Sequence, residues 1–181
     1  MPEIYQPAED SIFLNEFVEK EISKLKNKSK MKILDMGSGS GIQAGTAIDG
    51  DIPPENLTLA DINPDSVNFL KSEFPESKVI LSDLFSGLKK EKYGLIIFNP
   101  PYLPENKFDK KPDTTGGEKG SEAINKFLKQ AKSHLSAKGI ILLLTSSFSK
   151  GIIWGNYRKT LLGEKKIFFE ELHVWKLQLA S

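Results

Sequence analysis

The tetrapeptide Asn99-Pro100-Pro101-Tyr102 combines residue types that could hold a flat nitrogen group in place. It follows the apolar run 93–98, which predicts a buried strand, and the two prolines end that strand because neither has an N–H to donate. The side-chain carbonyl of Asn99 and the main-chain carbonyl of Pro100 could each accept one N–H, while the ring of Tyr102 stacks on the acceptor. An ordinary turn that closes a strand is the alternative interpretation of the tetrapeptide taken alone.

A glycine-rich loop with the pattern Asp35-x-Gly37-x-Gly39-x-Gly41 lies between an apolar strand and a predicted helix that begins near Ile42. Glycines at such a place allow tight turns and a close approach of the backbone to a ligand. The spacing differs from the dinucleotide fingerprint G-x-G-x-x-G, and the P-loop pattern G-x-x-x-x-G-K-[ST] does not occur in the chain. The loop therefore predicts a ligand-binding site whose sequence pattern does not match a pyrophosphate-binding loop well.

Two further aspartates each follow a predicted strand. Asp61 ends the strand 57–61, where a carboxylate can accept hydrogen bonds from both hydroxyls of a ribose. Asp83 comes directly after the strand 78–82 and could face the amino group of an adenine. Each aspartate alone could equally be a loop residue or a helix cap. Three acidic residues that each follow a strand, counting Asp35, favour a nucleoside-binding site.

The composition is typical of one globular domain, so we expect a single domain over residues 1–181, with 39% hydrophobic and 27% charged residues. No stretch reaches the roughly 18 apolar residues that a membrane span needs. Pro2, Glu3 and Gln6 lie where a signal peptide has basic and apolar residues, which predicts a cytoplasmic protein. The chain has no cysteine and only two histidines, so no metal site is expected.

A net charge of +1 provides little electrostatic attraction for nucleic acid. Arg158 is the only arginine, and bidentate recognition of phosphate or guanine favours arginine over lysine. Both observations lower the expectation of a nucleic-acid substrate without excluding it.

Strand and helix patterns alternate from residue 31 to residue 145, which predicts βαβ units and a parallel sheet in an α/β fold. Residues 1–30 form a predicted N-terminal helical extension, and 173–179 alternate as a final antiparallel strand would. The long polar stretch 103–120 follows the candidate site directly and predicts a mobile lid. A helix is predicted from apolar residues at helical spacing, namely Ile124, Phe127, Leu128, Ala131 and Leu135.

Taken in order, the glycine loop, Asp61, Asp83 and the tetrapeptide at Asn99 resemble the motifs of class I methyltransferases that use S-adenosylmethionine. The N-terminal motif Tyr5-Gln6-Pro7-Ala8-Glu9-Asp10-Ser11 resembles more narrowly the HemK-type protein glutamine methyltransferases, in the short archaeal and eukaryotic branch that lacks a separate N-terminal helical domain. The resemblance covers nearly the whole chain.

This resemblance implies a Rossmann-like seven-stranded sheet in the order 3-2-1-4-5-7-6 with the last strand antiparallel. It implies methyl transfer to the side-chain amide nitrogen (N5) of the glutamine in a Gly-Gly-Gln loop of a class I peptide release factor. The cofactor-binding residues that it implies are Ser11, Asp35, Gly37, Gly39, Gly41, Asp61, Asp83, Leu84 and Asn99. The substrate-binding residues that it implies are Asn99, Pro100, Pro101 and Tyr102, of which Asn99, Pro100 and Tyr102 are catalytic.

Members of this branch often need a small zinc-binding activator subunit that pairs with the edge strand of the sheet. In this chain that edge would be the third strand, whose segment Val79-Ile80-Leu81 is apolar and a liability unless it is covered. The family usually has a longer helix between its fifth and sixth strands than the segment 147–156 allows. We therefore expect a turn there, with 157–162 as the sixth strand.

Two alternatives stay open. The exocyclic amine of adenine (N6) or guanine (N2) in DNA or RNA is also flat, and methyltransferases that act on it use the same tetrapeptide. The low net charge and the N-terminal motif favour the protein substrate. The other alternative is a catalytically silent binding scaffold, which the intact cofactor and acceptor motifs disfavour.

Overall fold

The computed structural model of the chain describes residues 7–102 and 119–180, which form one sheet covered by helices. The strands are β1 (Ile33–Met36), β2 (Leu57–Asp61), β3 (Lys78–Leu81), β4 (Tyr93–Phe98), β5 (Leu135–Ser146), β6 (Tyr157–Ile167) and β7 (Glu170–Leu179). The helices are α1 (Glu9–Ser23), α2 (Ile42–Asp49), α3 (Pro64–Glu73) and α4 (Glu122–Ala131), with short 3-10 turns at Lys28–Lys30 and Pro54–Asn56.

The seven strands lie in the order β3-β2-β1-β4-β5-β7-β6, which confirms the predicted topology. The first five strands are parallel, and β7 is antiparallel to both β5 and β6. Met36 at the end of β1 pairs with Ala60 and with Phe98. The carboxyl ends of the central strands therefore meet at one edge, which brings the glycine loop, Asp61 and Asn99 to the same side of the molecule.

The sheet is buried on both faces, as a parallel sheet between helices must be. On one face α1 and α2 pack on the strands and bury Phe13, Leu14, Val18 and Ala44. On the other face α4 buries Ile124, Phe127, Leu128 and Ala131, which confirms those four predicted core positions. Burial of each large apolar side chain contributes about 1.5–3 kcal/mol.

The prediction for Leu135 was wrong, because this residue is the first of β5 and not part of a helix. The helix ends at Ala131, and two turn hydrogen bonds follow, from the N–H of Ser133 and from the N–H of His134. The N–H of Tyr93 then bonds the carbonyl of His134 and starts the pairing with β4. Leu135 continues the apolar spacing of α4 because it is buried in the same core cluster as the apolar residues of that helix.

The C-terminal hairpin is longer than predicted. β6 continues to Ile167 instead of ending at Leu162, with a bulge between Leu161 and Gly163. A two-residue turn, Phe168-Phe169, joins it to β7. Residues 147–156 contain no helix, as predicted from their length. β6 carries exposed charged residues, namely Arg158, Lys159, Glu164 and Lys166.

Part of the predicted lid over 103–120, up to residue 118, and the first two residues of the N-terminal motif, Tyr5 and Gln6, lie outside the described residues. None of the described helices is long and apolar enough to span a membrane.

Candidate active site

Asn99 lies directly after β4, and the start of α1 packs beside it. Its side-chain Nδ2 donates to Oδ2 of Asp10 at 3.1 Å and lies 3.3 Å from Oγ of Ser11. Asp10 and Ser11 are both buried, and Gln43 of α2 bonds the carbonyl of Ser11 at 3.3 Å. The N-terminal motif and the tetrapeptide, which are far apart in sequence, thus form one cluster.

Asp10 anchors this cluster through both of its carboxylate oxygens. Oδ1 accepts from the N–H of Ser11 at 2.6 Å and from the Ser11 hydroxyl at 3.3 Å. Oδ2 accepts from Asn99 and also from the hydroxyl of Tyr102 at 3.1 Å. The sequence analysis quoted Asp10 within the N-terminal motif but assigned it no role. The signal that could have found it was its place beside Ser11 in that motif.

The amide of Asn99 is oriented by these bonds. A carboxylate accepts hydrogen bonds, so the NH2 end of Asn99 must face Asp10. Oδ1 of Asn99 then points away from Asp10, and it is buried with no donor in the described part of the chain. A buried acceptor without a donor costs about 1–3 kcal/mol, which a ligand N–H placed there would recover. Pro100, the next residue, is also buried.

The glycine loop makes the tight turns that its sequence predicts. Gly37, Gly39 and Gly41 all have positive φ, at 65°, 52° and 81°. At Gly41, which begins α2, a Cβ would also collide with the ring of Phe74. The N–H of Gly37 bonds the carbonyl of Ala60 at 2.7 Å. The loop is therefore held against the end of β2, and Gly37 is the exposed one of its three glycines.

Asp61 ties the glycine loop to the turn that follows β2. Its Oδ2 accepts from the N–H of Gly39 at 2.8 Å, and its Oδ1 accepts from the N–H of Asn63 at 2.8 Å. The side chain of Asn63 in turn caps α3 by accepting from the N–H of Asp65. Each carboxylate oxygen has capacity for a further hydrogen bond, so Asp61 can still accept from a ligand.

Asp35 is a buried acidic residue at the start of the glycine loop, and 4% of its surface is exposed. Burial raises the pKa of Asp35 to about 8, the Ser38 hydrogen bond opposes that shift, and the nearby charge of Asp61 adds to it. Its Oδ2 has no hydrogen-bond partner within residues 7–102 and 119–180. A cationic ligand group at this end of the loop would supply the partner and favour the charged form of Asp35.

Asp83 and Leu84 form the start of a tight turn after β3. Asp83 is half-exposed and pairs with Lys126 of α4, with the carboxylate Oδ2 and the ammonium 2.6 Å apart. Leu84 has φ 50°, an unusual value for a bulky residue, and its carbonyl accepts from the hydroxyl of Ser82 at 2.6 Å. The same hydroxyl accepts from the N–H of Gly87, so the turn is fixed by local bonds.

The structure thus joins Asp10, Ser11, Asn99 and Tyr102 by hydrogen bonds, and it separately joins Asp61 to the glycine loop. Asp83 takes its partner from α4 instead, and its proposed contact with adenine stays a prediction. The strand β3 forms one edge of the sheet, with Val79 and Ile80 half-buried and Leu81 53% exposed.

A family model described as "Methyltransferase small domain" matches residues 21–152. The chain is 33% identical to a Methanocaldococcus jannaschii protein provisionally named protein N5-glutamine methyltransferase MJ0928, over 97% of this chain and 93% of that protein. It is 30% identical to Methyltransferase HEMK2 of Homo sapiens, over 79% of this chain and 72% of that protein.

Ribosomal RNA small subunit methyltransferase C of Haemophilus influenzae is 29% identical over 82% of this chain, but the chain spans only 41% of that protein. Among solved structures, the E. cuniculi Mtq2-Trm112 complex, described as responsible for methylation of the eRF1 translation termination factor, matches with a TM-score of 0.76. It is 21% identical, over 98% of this chain and 99% of the matched chain.

Proposed function

This chain belongs to the methyltransferase small domain family as a HemK-type class I S-adenosylmethionine-dependent methyltransferase, and we propose that it methylates a protein glutamine. The acceptor is the side-chain amide nitrogen (N5) of the glutamine in a Gly-Gly-Gln loop of a class I peptide release factor. The observation that carries the proposal is the buried Oδ1 of Asn99, which has no donor in the described part of the chain. The names of the relatives from Methanocaldococcus jannaschii and other species support the same acceptor.

A primary amide presents two N–H groups in one plane. Asn99 Oδ1 accepts one of them and the main-chain carbonyl of Pro100 accepts the other, while Tyr102 covers the face of the acceptor. The amide nitrogen is a poor nucleophile because its lone pair is delocalised into the carbonyl. Acceptance of both N–H groups holds the nitrogen in line for attack and favours the positive charge that develops on it. As the new N–CH3 bond forms, the S–CH3 bond breaks to leave a neutral thioether. One of the two N–H protons is then lost to water, which gives a neutral N-methyl amide. The cluster needs no histidine or cysteine base for this step.

Asp10 and Ser11 act on the acceptor through Asn99. Because Asp10 binds Nδ2, rotation of the Asn99 amide would place two acceptors face to face and is disfavoured. The same carboxylate oxygen holds the hydroxyl of Tyr102, so one group sets the geometry of both side chains. We assign Asp10 as a positioning residue for the acceptor site.

The residues present fit S-adenosylmethionine on two observations. Asp35 Oδ2 is a buried acceptor without a partner among the described residues, which suits a cationic amino group. Gly37 of the glycine loop is exposed, so a ligand can approach the backbone there. In our proposal Ser11, Asp35 and the glycines hold the methionine part, Asp61 binds the ribose hydroxyls, and the turn Asp83-Leu84 holds the adenine. When bound, this cofactor supplies an electrophilic methyl group on a positively charged sulfur.

We further propose that a small zinc-binding activator subunit adds a strand to β3. Leu81 is 53% exposed on this edge, and the main-chain groups along an edge strand lack a neighbouring strand. The matched structural neighbour was solved as a complex with a second protein, Trm112. A concentration-dependent homodimer of the chain with no affinity for an activator would contradict this proposal.

The test is transfer of labelled methyl from S-adenosylmethionine, with and without the activator. Acceptors are purified release factor, its Gly-Gly-Ala variant, DNA and ribosomal RNA, each offered separately. We expect label on release factor that is lost in the Gly-Gly-Ala variant, and none with Asn99→Ala enzyme that still binds the cofactor. Label only on nucleic acid would overturn the protein substrate and favour the ribosomal RNA activity named for the Haemophilus relative.

A further inference from the structure

The turn between β6 and β7 presents two aromatic side chains to solvent. Phe168 is 88% exposed and Phe169 is 93% exposed, the most exposed of the large apolar side chains in the described part of the chain. They form a two-residue hairpin turn between the paired residues Ile167 and Glu170. We call these two residues the hairpin tip.

The backbone conformation at the first residue of the hairpin tip is unfavourable for phenylalanine. Phe168 has φ 51°, while Phe169 is not in the positive-φ region. Two-residue turns with positive φ at their first position are built most readily with glycine there, because an aromatic side chain clashes with its own backbone. The chain therefore carries a strained conformation and two solvated rings at one point, with no compensating contact among the described residues.

Strand register places the hairpin tip at the same end of the sheet as the acceptor site. Phe98, which precedes Asn99, pairs with Leu143, and three residues later Ser146 pairs with Leu172. The tip lies a further three residues beyond Leu172 along the hairpin. At about 3.3 Å per residue, it projects about 20 Å past the level of Phe98, two strands to the side.

The hairpin is held against the end of β5 and against α1. The N–H of Ser147 bonds the carbonyl of Glu171 at 2.8 Å, which holds the hairpin to the end of β5. At Gly163, beside the bulge, a Cβ would collide with the ring of Phe17 in α1, so the hairpin lies directly on that helix. The ammonium of Lys165 also lies 6.0 Å from the ring of Phe13. Since the first turn of α1 contains Asp10, the hairpin packs on the same helix that contributes to the acceptor cluster.

We infer that the hairpin tip is the docking element for the protein that carries the acceptor glutamine, with both rings buried against an apolar patch of that protein. This inference rests on the proposed function and names what recognises its substrate. A projection of about 20 Å beside the site exceeds what a small acceptor could contact, so it suits a folded macromolecule.

The charges around the tip favour a protein over nucleic acid. Lys165 and Lys166 on one strand are balanced by Glu170 and Glu171 on the other. Glu164 adds a further carboxylate, exposed near His173 at 3.8 Å. A phosphate backbone would need a basic surface here. An activator on β3 would not cover the tip, because β3 and β6 are the opposite edges of the sheet.

The experiment compares the wild-type chain with a tip variant, Phe168→Gly/Phe169→Ser. Glycine at the first turn position and serine at the second suit the observed backbone, so this variant should fold at least as well as the wild type. Ile153→Ser is the matched control, since Ile153 is 71% exposed but lies in the segment between β5 and β6. Acceptors are purified class I release factor and a short peptide that contains only the Gly-Gly-Gln loop.

For the tip variant we expect KM for release factor to rise at least about 10-fold, with kcat unchanged, peptide turnover unchanged and melting temperature not lowered. Ile153→Ser should match the wild type throughout. Equal kcat/KM of wild type and tip variant on release factor would overturn the inference and leave the proposed function standing. Equal losses on release factor and peptide, or a wild-type dimer that the tip variant dissociates, would also overturn it. A wild-type chain that labels only nucleic acid would overturn the proposed function itself.

Discussion

Nδ2 of Asn99 lies 3.1 Å from Oδ2 of Asp10, although 89 positions separate the two residues in the chain. This bond decides which end of the Asn99 amide faces the proposed acceptor site. It also makes the start of α1 a part of the site, so the N-terminal helix is more than a cover for the sheet.

Asp10→Asn should lower kcat about 100-fold and leave the affinity for S-adenosylmethionine within about 3-fold. An asparagine offers one acceptor and one NH2 where the wild type offers two acceptors, so the amide of Asn99 can turn its NH2 toward the substrate. Steady-state kinetics and calorimetry measure the two effects. Asp49→Asn, at an exposed site near the end of α2, is the control and should change neither. A normal kcat in Asp10→Asn would exclude Asp10 as a positioning residue.

The free energy of unfolding of the cofactor-free chain should fall as the pH rises from about 4 to about 8. The pKa of Asp35 is raised to about 8 from 3.8, so in this window the folded state holds a proton that the unfolded state has lost. The stabilising contribution is complete below pH 3.8 and is lost as the pH approaches 8. The slope from this group is at most about 1.4 kcal/mol per pH unit. Urea unfolding at several pH values measures it, and Asp35→Asn should remove it, whereas parallel curves for the two proteins would contradict the raised pKa.

Gly41, which caps the start of α2, and Gly45 within α2 should respond to alanine with opposite signs. Gly41→Ala should destabilise the chain by about 1–3 kcal/mol, because Gly41 has φ 81° and a Cβ there collides with Phe74. Gly45→Ala should stabilise it by about 0.5–1 kcal/mol, since a Cβ there meets no atom within 4 Å and alanine favours the helix. Thermal and urea unfolding of both variants provide the comparison. Equal effects would show that the packing of the glycine loop on α3 is not as described.

Leu81→Lys should weaken binding of the proposed activator at least about 10-fold and leave the isolated chain folded. Leu81 is 53% exposed on β3, so a lysine is tolerated in the free chain but places a charge in a strand-to-strand interface. Titration of the labelled activator measures the affinity. Leu161→Lys is the control, because Leu161 is 38% exposed on β6 at the other edge. If both variants bind the activator like the wild type, the activator does not use β3.

The central strands and the glycine loop could be predicted from the sequence because their signals are local. The strands 57–61 and 93–98 are apolar runs that end at an aspartate or at prolines, and the structure begins and ends them at the predicted residues. The start of α2 at Ile42 was predicted for the same reason, since the glycines must end before a helix can begin.

The errors and omissions occur where tertiary contacts override local pattern. Leu135 continues a helical spacing but pairs with Tyr93 in the sheet. The second half of β6 is rich in lysine and glutamate, so it lacks the alternation of apolar and polar residues that indicates a strand. Its strand structure follows from its pairing with β7. The bond between Asp10 and Asn99 joins the helix that precedes the βαβ pattern to a strand end inside it, and no local pattern predicts that contact.

The two edges of the sheet differ in a way that limits how the chain can assemble. β3 offers an apolar edge and β6 a charged one, so a strand added to β3 finds no matching edge on the far side. If β3 takes up a strand, growth by strand addition should therefore stop after one step, at a closed pair. We expect overexpression without the proposed activator to give paired copies of the chain in preference to fibres.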